Sequence, residues 1–369
     1  MAGVVAERLL GSGALRELGL DPGGSGGSTS EVPELDAQGR AVVPGFVDAH
    51  THLVFAGDRS DEFRARLAGE RYEAGGIMRT VAATRAASLE ELASGVADRA
   101  AKCLASGTTT IEVKSGYGLD VATERRSLEA IARAASSTPA DLVPTFLGAH
   151  LDPEPGYIEM VVSEMLPACA DLASGCDAFC DVGALSVESA RRVLEAGRAG
   201  GLVTRIHAEE LAHTGGAALA AELGCASADH LVHATRDDAE ALAGAGVVAV
   251  LLPATSFCLR SGYAPARMLI DAGVCVALGT DCNPGTSYTT SMPFVIALAC
   301  SEYGMSADEA LRAATLGGAR ALRLDDVGHL CPGARADMAV IDGDHWVDLA
   351  YHPGMDVIAN VTKDGIVVR

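Results

Sequence analysis

Six side chains able to hold a metal ion each fall at or near the end of an apolar run. They are His50 and His52 in VVPGFVDAHTHLVF, His150 in LVPTFLGAH, His207 in LVTRIHAEE, His230 in ASADHLVH and Asp281 in VCVALGTDCNPG. In extended chain, residues two apart share a face, so the HxH pair sets two imidazoles side by side. Two histidines, a third imidazole and a carboxylate are ligand types taken by catalytic zinc or iron, with a position left for water. Other polar residues could contact a ligand of such a site. Arg59, seven residues past His52, offers a guanidinium to a carboxylate. Tyr117, between glycines in SGYG, can present its hydroxyl to a polar ring. In NPGTS, which holds Asn283, Gly285 and Thr286, backbone N–H groups could receive a carboxylate. Glu210 follows His207 by three residues; a helix starting there would return its carboxylate toward the metal for proton transfer. His213 and His233 are expected at the rim or surface.

Elements must bring these residues together. From about residue 42, short β-branched runs alternate with Ala-rich amphipathic stretches. Ser88 with Glu91, and Ser306 with Glu309, fit the capping box that opens a helix. Eight strand-like runs separated by helical stretches predict a (β/α)8 barrel, whose active site forms at the carboxyl ends of its strands. A doubly wound sheet would need a Gly-rich phosphate turn, and neither GxGxxG nor GxxxxGK[ST] occurs. Beyond residue 330 polar and apolar residues alternate, with Asp342-Gly343 and Asp364-Gly365 as turn signals. That pattern predicts a small β-sandwich-type domain built from the chain termini. The expected organisation is 1–43 as a weak or partial contributor to the small domain, 44–330 as the barrel, and 331–369 as the remaining strands.

The chain has 369 residues, 49% of them hydrophobic, and a formal charge of −21. Such an acidic balance argues against nucleic-acid or anionic-membrane partners. Ten cysteines without a CxxC pair suggest reduced, mostly buried thiols and a cytoplasmic protein. No apolar run is long enough to span a bilayer. Glu7 and Arg8 break up what would be a signal peptide's apolar stretch.

PGFVDAHTH, IHAEE and LGTD together resemble the amidohydrolase superfamily of metal-dependent hydrolases. HLVFAGDRSDEFRARL, EVKSGYGLD, TFLGAH, LLPATSF and GTDCNPGTS are similar to its branch that opens the ring of 4-imidazolone-5-propanoate to N-formimidoyl-glutamate in histidine breakdown. The resemblance implies hydrolysis of a cyclic-amide carbon–nitrogen bond, with His50, His52, His207 and Asp281 as metal ligands. It implies substrate contacts at Arg59, Tyr117, His150, Glu210, Asn283, Gly285 and Thr286. Glu210, His230 and Asp281 would divide the proton transfers. Binuclear superfamily members bridge two metals with a modified lysine on the fourth strand; CDAFCDVGALS has none, so one Zn(2+) or Fe(3+) per chain is expected. A homodimer is implied by resemblance. The HxH, HAxE and Asp motifs also fit a deaminase of a purine or pyrimidine ring, and a barrel without activity could serve as a metal-binding scaffold.

Overall fold

The computed structural model describes residues 35–69 and 76–369, so the expectation for most of segment 1–43 lies outside the described residues. Two sheets organise the chain. Eight parallel strands follow one another in sequence order, β2 to β9, and four antiparallel strands form a second sheet in the order β1-β10-β11-β12. The barrel strands are β2 (Phe46–Asp48), β3 (Thr108–Lys114), β4 (Asp141–Ala149), β5 (Gly175–Cys180), β6 (Val203–Ala208), β7 (Ser227–His230), β8 (Val248–Leu251) and β9 (Val276–Leu278). Each of the eight expected runs overlaps one of them, and the (β/α)8 expectation is borne out. No helix among the described residues is long and apolar enough to cross a membrane.

The first run differs from the expectation of one strand. VVPGFVDAHTH splits into β1 (Val42–Pro44), which belongs to the small sheet, and β2, which belongs to the barrel. Gly45 makes the break: a Cβ there would collide with the Thr109 side chain, and its N–H donates to Asp337 O at 2.9 Å. His50 and His52 therefore lie past the strand end. They remain in extended backbone, because Thr51 bridges Cys282 in parallel fashion. His52 N donates to Cys282 O at 3.0 Å and Asp281 N to His50 O at 2.9 Å. Below them Thr280 Oγ1 donates to Asp48 Oδ2 at 2.6 Å. These contacts close the first barrel strand against the last.

Amphipathic helices cover the outside. The helix Leu89–Ala105 opens with a reciprocal Ser88–Glu91 capping box and buries Leu92, Val96, Ala100 and Cys103 at three- and four-residue spacing. It ends at Gly107, whose φ of +93° and tight approach to the Phe46 ring leave no room for a Cβ. The Ser306–Glu309 box also forms.

Among its described residues the terminal domain is one antiparallel sheet: β1, β10 (Met338–Ile341), β11 (Ile358–Lys363) and β12 (Ile366–Val367). Asp364 and Gly365, with φ of +50° and +81°, make the turn between β11 and β12. The sheet is joined to the barrel through Asp141, the first residue of β4. Lys363 Nζ lies 3.1 Å from Asp141 and 3.2 Å from Asp337, and Arg335 reaches Asp141 at 2.7 Å.

Candidate active site

At the carboxyl ends of the barrel strands a cavity is lined by His52, His207, His230, Asp281 and Glu210 on its deep side. Arg59, Tyr117, His150, Asn283 and Thr286 complete its walls, and His50 lies beneath with no exposure. Strand ends from all round the barrel thus bring together residues spread between positions 50 and 286 of the chain.

The donors converge. The outward-facing nitrogens of His50 and His207 each meet a carboxylate: His50 Nδ1 donates to Asp229 Oδ2 at 2.6 Å, and His207 Nδ1 to Asp177 Oδ1 at 3.2 Å. Anchoring Nδ1 this way fixes the tautomer that leaves the Nε2 lone pair directed inward. His207 Nε2 is 3.4 Å from His52 Nε2. Asp281 Oδ1 stands 3.4 Å from His52 Nε2 and 3.7 Å from His50 Nε2, while its other oxygen accepts from Thr255 Oγ1 at 2.6 Å. Two overlapping groups, His50–His52–Asp281 and His50–His207–His230, each have ligand atoms within 4.8 Å of one another. The buried His50 Nε2 and His230 Nε2 find no hydrogen-bond partner among the side chains. Buried unpaired polar atoms are costly, and a metal ion would satisfy them. The donor set fits that ion, and His230 stands close enough to count among the donors.

Burial sets the electrostatics. It pushes His50, His52 and His230 well below the ordinary histidine range and His150 down to about 3, so these rings are neutral lone-pair donors at pH 7. His207 goes the other way: burial opposes its cation, but the Asp177 carboxylate outweighs that and raises it. Asp281 is lifted to about 6 by burial. Burial, reinforced by Asp281, lifts Glu210 to about 8. Glu210 Oε2 lies 3.7 Å from His230 Nε2.

Backbone strain collects here too. His230, Asp281 and Glu209 have φ of +74°, +49° and +56°, in a region that costs non-glycine residues about 1–3 kcal/mol each and clusters at functional sites.

No helix starts directly after His207. Residues 209–212 are a bend held by Asp181, whose carboxylate accepts from the N–H groups of Glu210 (2.7 Å), Leu211 (2.9 Å) and Ala212 (3.2 Å). Glu210 reaches the cavity from this bend, whereas Glu209 turns away to accept from Thr214, Gly215 and Ala217 N–H. Glu124 does for the SGYG loop what Asp181 does here, accepting from Gly116, Gly118 and Leu119 N–H and so presenting Tyr117. The N–H groups of Gly285 and Thr286, which the sequence offers to a carboxylate, are both spent on Asn283 Oδ1 at 2.8 Å. Gly285 has a different use: a Cβ there would collide with the Arg59 guanidinium. Arg59 itself forms a two-pronged pair with Glu62, Nε–Oε2 at 2.8 Å and Nη2–Oε1 at 2.6 Å. His213 and His233 lie exposed, the former paired with Asp238 at 2.9 Å.

Sequence reasoning missed the layer under the histidines: Asp48, Glu112, Asp177 and Asp229, all fully buried. The available signal was an acidic residue inside an otherwise apolar strand run, as in CDAFC and ASADH. Such a residue is almost never fully buried without a partner.

The amidohydrolase family model matches residues 41–369, and the chain belongs to that family. Its eight parallel barrel strands and terminal antiparallel sheet fit that family. Among curated relatives, the imidazolonepropionase of Mycolicibacterium smegmatis is 51% identical over 352 residues, covering 93% of this chain and 87% of the relative. That of Salinispora arenicola is 52% identical over 340 residues, covering 90% and 85%. A crystal structure of 5-methylcytosine deaminase from Klebsiella pneumoniae, liganded with 5-fluorocytosine, has a TM-score of 0.75 over 94% of this chain and 90% of that one. Its 16% identity makes this a likeness of fold.

Proposed function

We propose that the chain is an imidazolonepropionase, hydrolysing the ring amide of 4-imidazolone-5-propanoate to N-formimidoyl-L-glutamate in histidine breakdown. The observation that carries this reading, beside the relatives' identity, is a cavity that sets two overlapping groups of metal donors, His50–His52–Asp281 and His50–His207–His230, beside an arginine and a glutamate. One ion, Zn(2+) or Fe(3+), held by His50, His52, His207 and Asp281, would supply Lewis acidity and a water acidified to a pKa of roughly 7.

The side chains do the rest. Arg59 holds the propionate, sharing its guanidinium with Glu62. Tyr117 and His150, buried at the wall, bracket the ring and leave its carbonyl facing the histidine cluster. His230 and Asp281 take up and steer the proton of the attacking water. Glu210, protonated at neutral pH by its raised pKa, gives a proton to the departing ring nitrogen. Asn283 ties the 283–286 loop so that Gly285 leaves space for Arg59.

The test is hydrolysis by metal-replete protein of imidazolone-propanoate, with guanine and cytosine as comparison substrates. Turnover of the imidazolone alone is expected. Release of ammonia from either base, with the imidazolone untouched, would replace this reading with a deaminase.

A further inference from the structure

Lys114, at the end of β3, lies beneath the histidines with its side chain wholly buried. Its Nζ is 2.8 Å from Glu112 Oε1, 2.8 Å from Asp177 Oδ2 and 3.9 Å from Asp229 Oδ2. Each of these carboxylates grips a different part of the site. Asp177 accepts from His207, and Asp229 accepts from His50. Glu112 accepts from the N–H of Thr51, between His50 and His52, at 3.2 Å, and Thr51 Oγ1 donates back to Glu112 O at 2.5 Å. Through these carboxylates one ammonium therefore links the two segments that carry His50, His52 and His207.

We propose that Lys114 is a positioning residue that sets the affinity of the site for its metal, by holding the three carboxylates that orient His50, His207 and the HxH segment. Three carboxylates gathered in a barrel interior repel one another unless a cation stands among them, and burial leaves no solvent to take its place. Arg205 is also buried, but the three ion pairs to these carboxylates are made by Lys114. Without its ammonium, Asp177 Oδ2 and Asp229 Oδ2 lose their cation, and Asp177 keeps only the Ala178 N–H at 2.7 Å besides His207. Each is then free to turn, and the Nε2 atoms lose their common aim. Hydrogen-bond partners of this kind are worth about 10- to 100-fold in metal affinity.

The inference rests on the metal reading of the site and is independent of the substrate. The experiment measures Zn(2+) affinity of the metal-free full chain by competition with a chromophoric chelator, for wild type, Lys114→Met, Asp229→Asn and the double variant. Lys114→Met keeps length and apolar bulk while removing charge and donors. Affinity is expected to fall about 10- to 100-fold in each single variant. The double variant should fall by less than the product of the two, because both cut the same link. At saturating Zn(2+), KM for the imidazolone should stay within about twofold of wild type, since Lys114 does not touch the cavity; a general loss of packing would move it. Wild-type affinity in Lys114→Met, or losses that multiply in the double variant, would overturn the role of Lys114. Should Lys114→Met fail to fold, Asp229→Asn decides alone: it severs the route to His50 and leaves the ammonium on Glu112 and Asp177, and unchanged affinity refutes the proposal. A wild-type chain that binds no Zn(2+) instead overturns the site reading itself.

Discussion

Arg59 enters the cavity already paired, and this sets how it must work. A substrate carboxylate has to share the guanidinium with Glu62 or displace it. The propionate is equally charged in ground and transition states, so Arg59→Met should chiefly raise KM and leave kcat much less changed. Losing one charge-assisted contact is worth about 2–4 kcal/mol, or roughly 30- to 1,000-fold in kcat/KM. Glu62→Gln should do the opposite and lower KM; steady-state kinetics of both variants against the natural substrate checks the pair. An unchanged KM in Arg59→Met would place the propionate elsewhere. Glu210 has the second testable role. With its pKa near 8 it is protonated below that pH and loses the proton as pH rises through it, so kcat should decline above about pH 8. Glu210→Gln should lower kcat by about 10²–10⁴ and abolish that decline. A wild-type kcat that stays level to pH 9.5 would exclude Glu210 as the proton donor. Arg59 was legible from its place after the HxH, but Glu62 was not. Nothing in DRSDEF says that an arginine aimed at a ligand will first be claimed by an acid three residues on.

Strands and loops were unequally legible. Alternation of apolar runs with capped helices predicts eight barrel strands, because burial on both faces forces continuous β-branched stretches. The division of the first run at Gly45 was hidden, since its cause is a collision with Thr109 from a distant strand. The bend at 209–212 was hidden for a similar reason: the acceptor that holds it, Asp181, belongs to another strand's loop. Two predictions belong at this scale. The proposed ligands lie on three separate segments of the barrel, so replacing His50, His52, His207 or Asp281 by alanine should abolish activity and bound metal together. Elemental analysis of wild type should find one ion per chain, and two would defeat the mononuclear reading. The joint between the sheets is tested by Lys363→Met. It leaves the buried Asp337 without its cation and should cost about 3 kcal/mol, at the low end for breaking a buried pair because Asp141 is partly exposed. Asp141→Asn should cost distinctly less. Thermal melts of both would show it, and equal losses would mean the joint is held by packing.

On the scale of the whole molecule, a formal charge of −21 surrounds a cavity proposed to take an anion. The general field repels such a substrate, and added salt screens that repulsion. Raising NaCl from about 20 to 150 mM, which shortens the screening length to near 8 Å, should raise kcat/KM. A fall would mean that Arg59 at the cavity outweighs the rest of the surface. The bridge between Thr51 and Cys282 also imposes a timetable. The HxH pair leaves the ribosome early and Asp281 late: Thr280 is 232 residues beyond the Asp48 to which it bonds. A nascent chain stopped before β9 carries three of the four proposed ligands, with neither the aspartate nor the strand that pins the histidine pair in place. Zinc uptake along a series of stalled chains should therefore switch on only once Cys282 has emerged and paired. On that expectation the ion would be a fastener added after the last barrel strand has closed against the first, and a loaded site would report that closure.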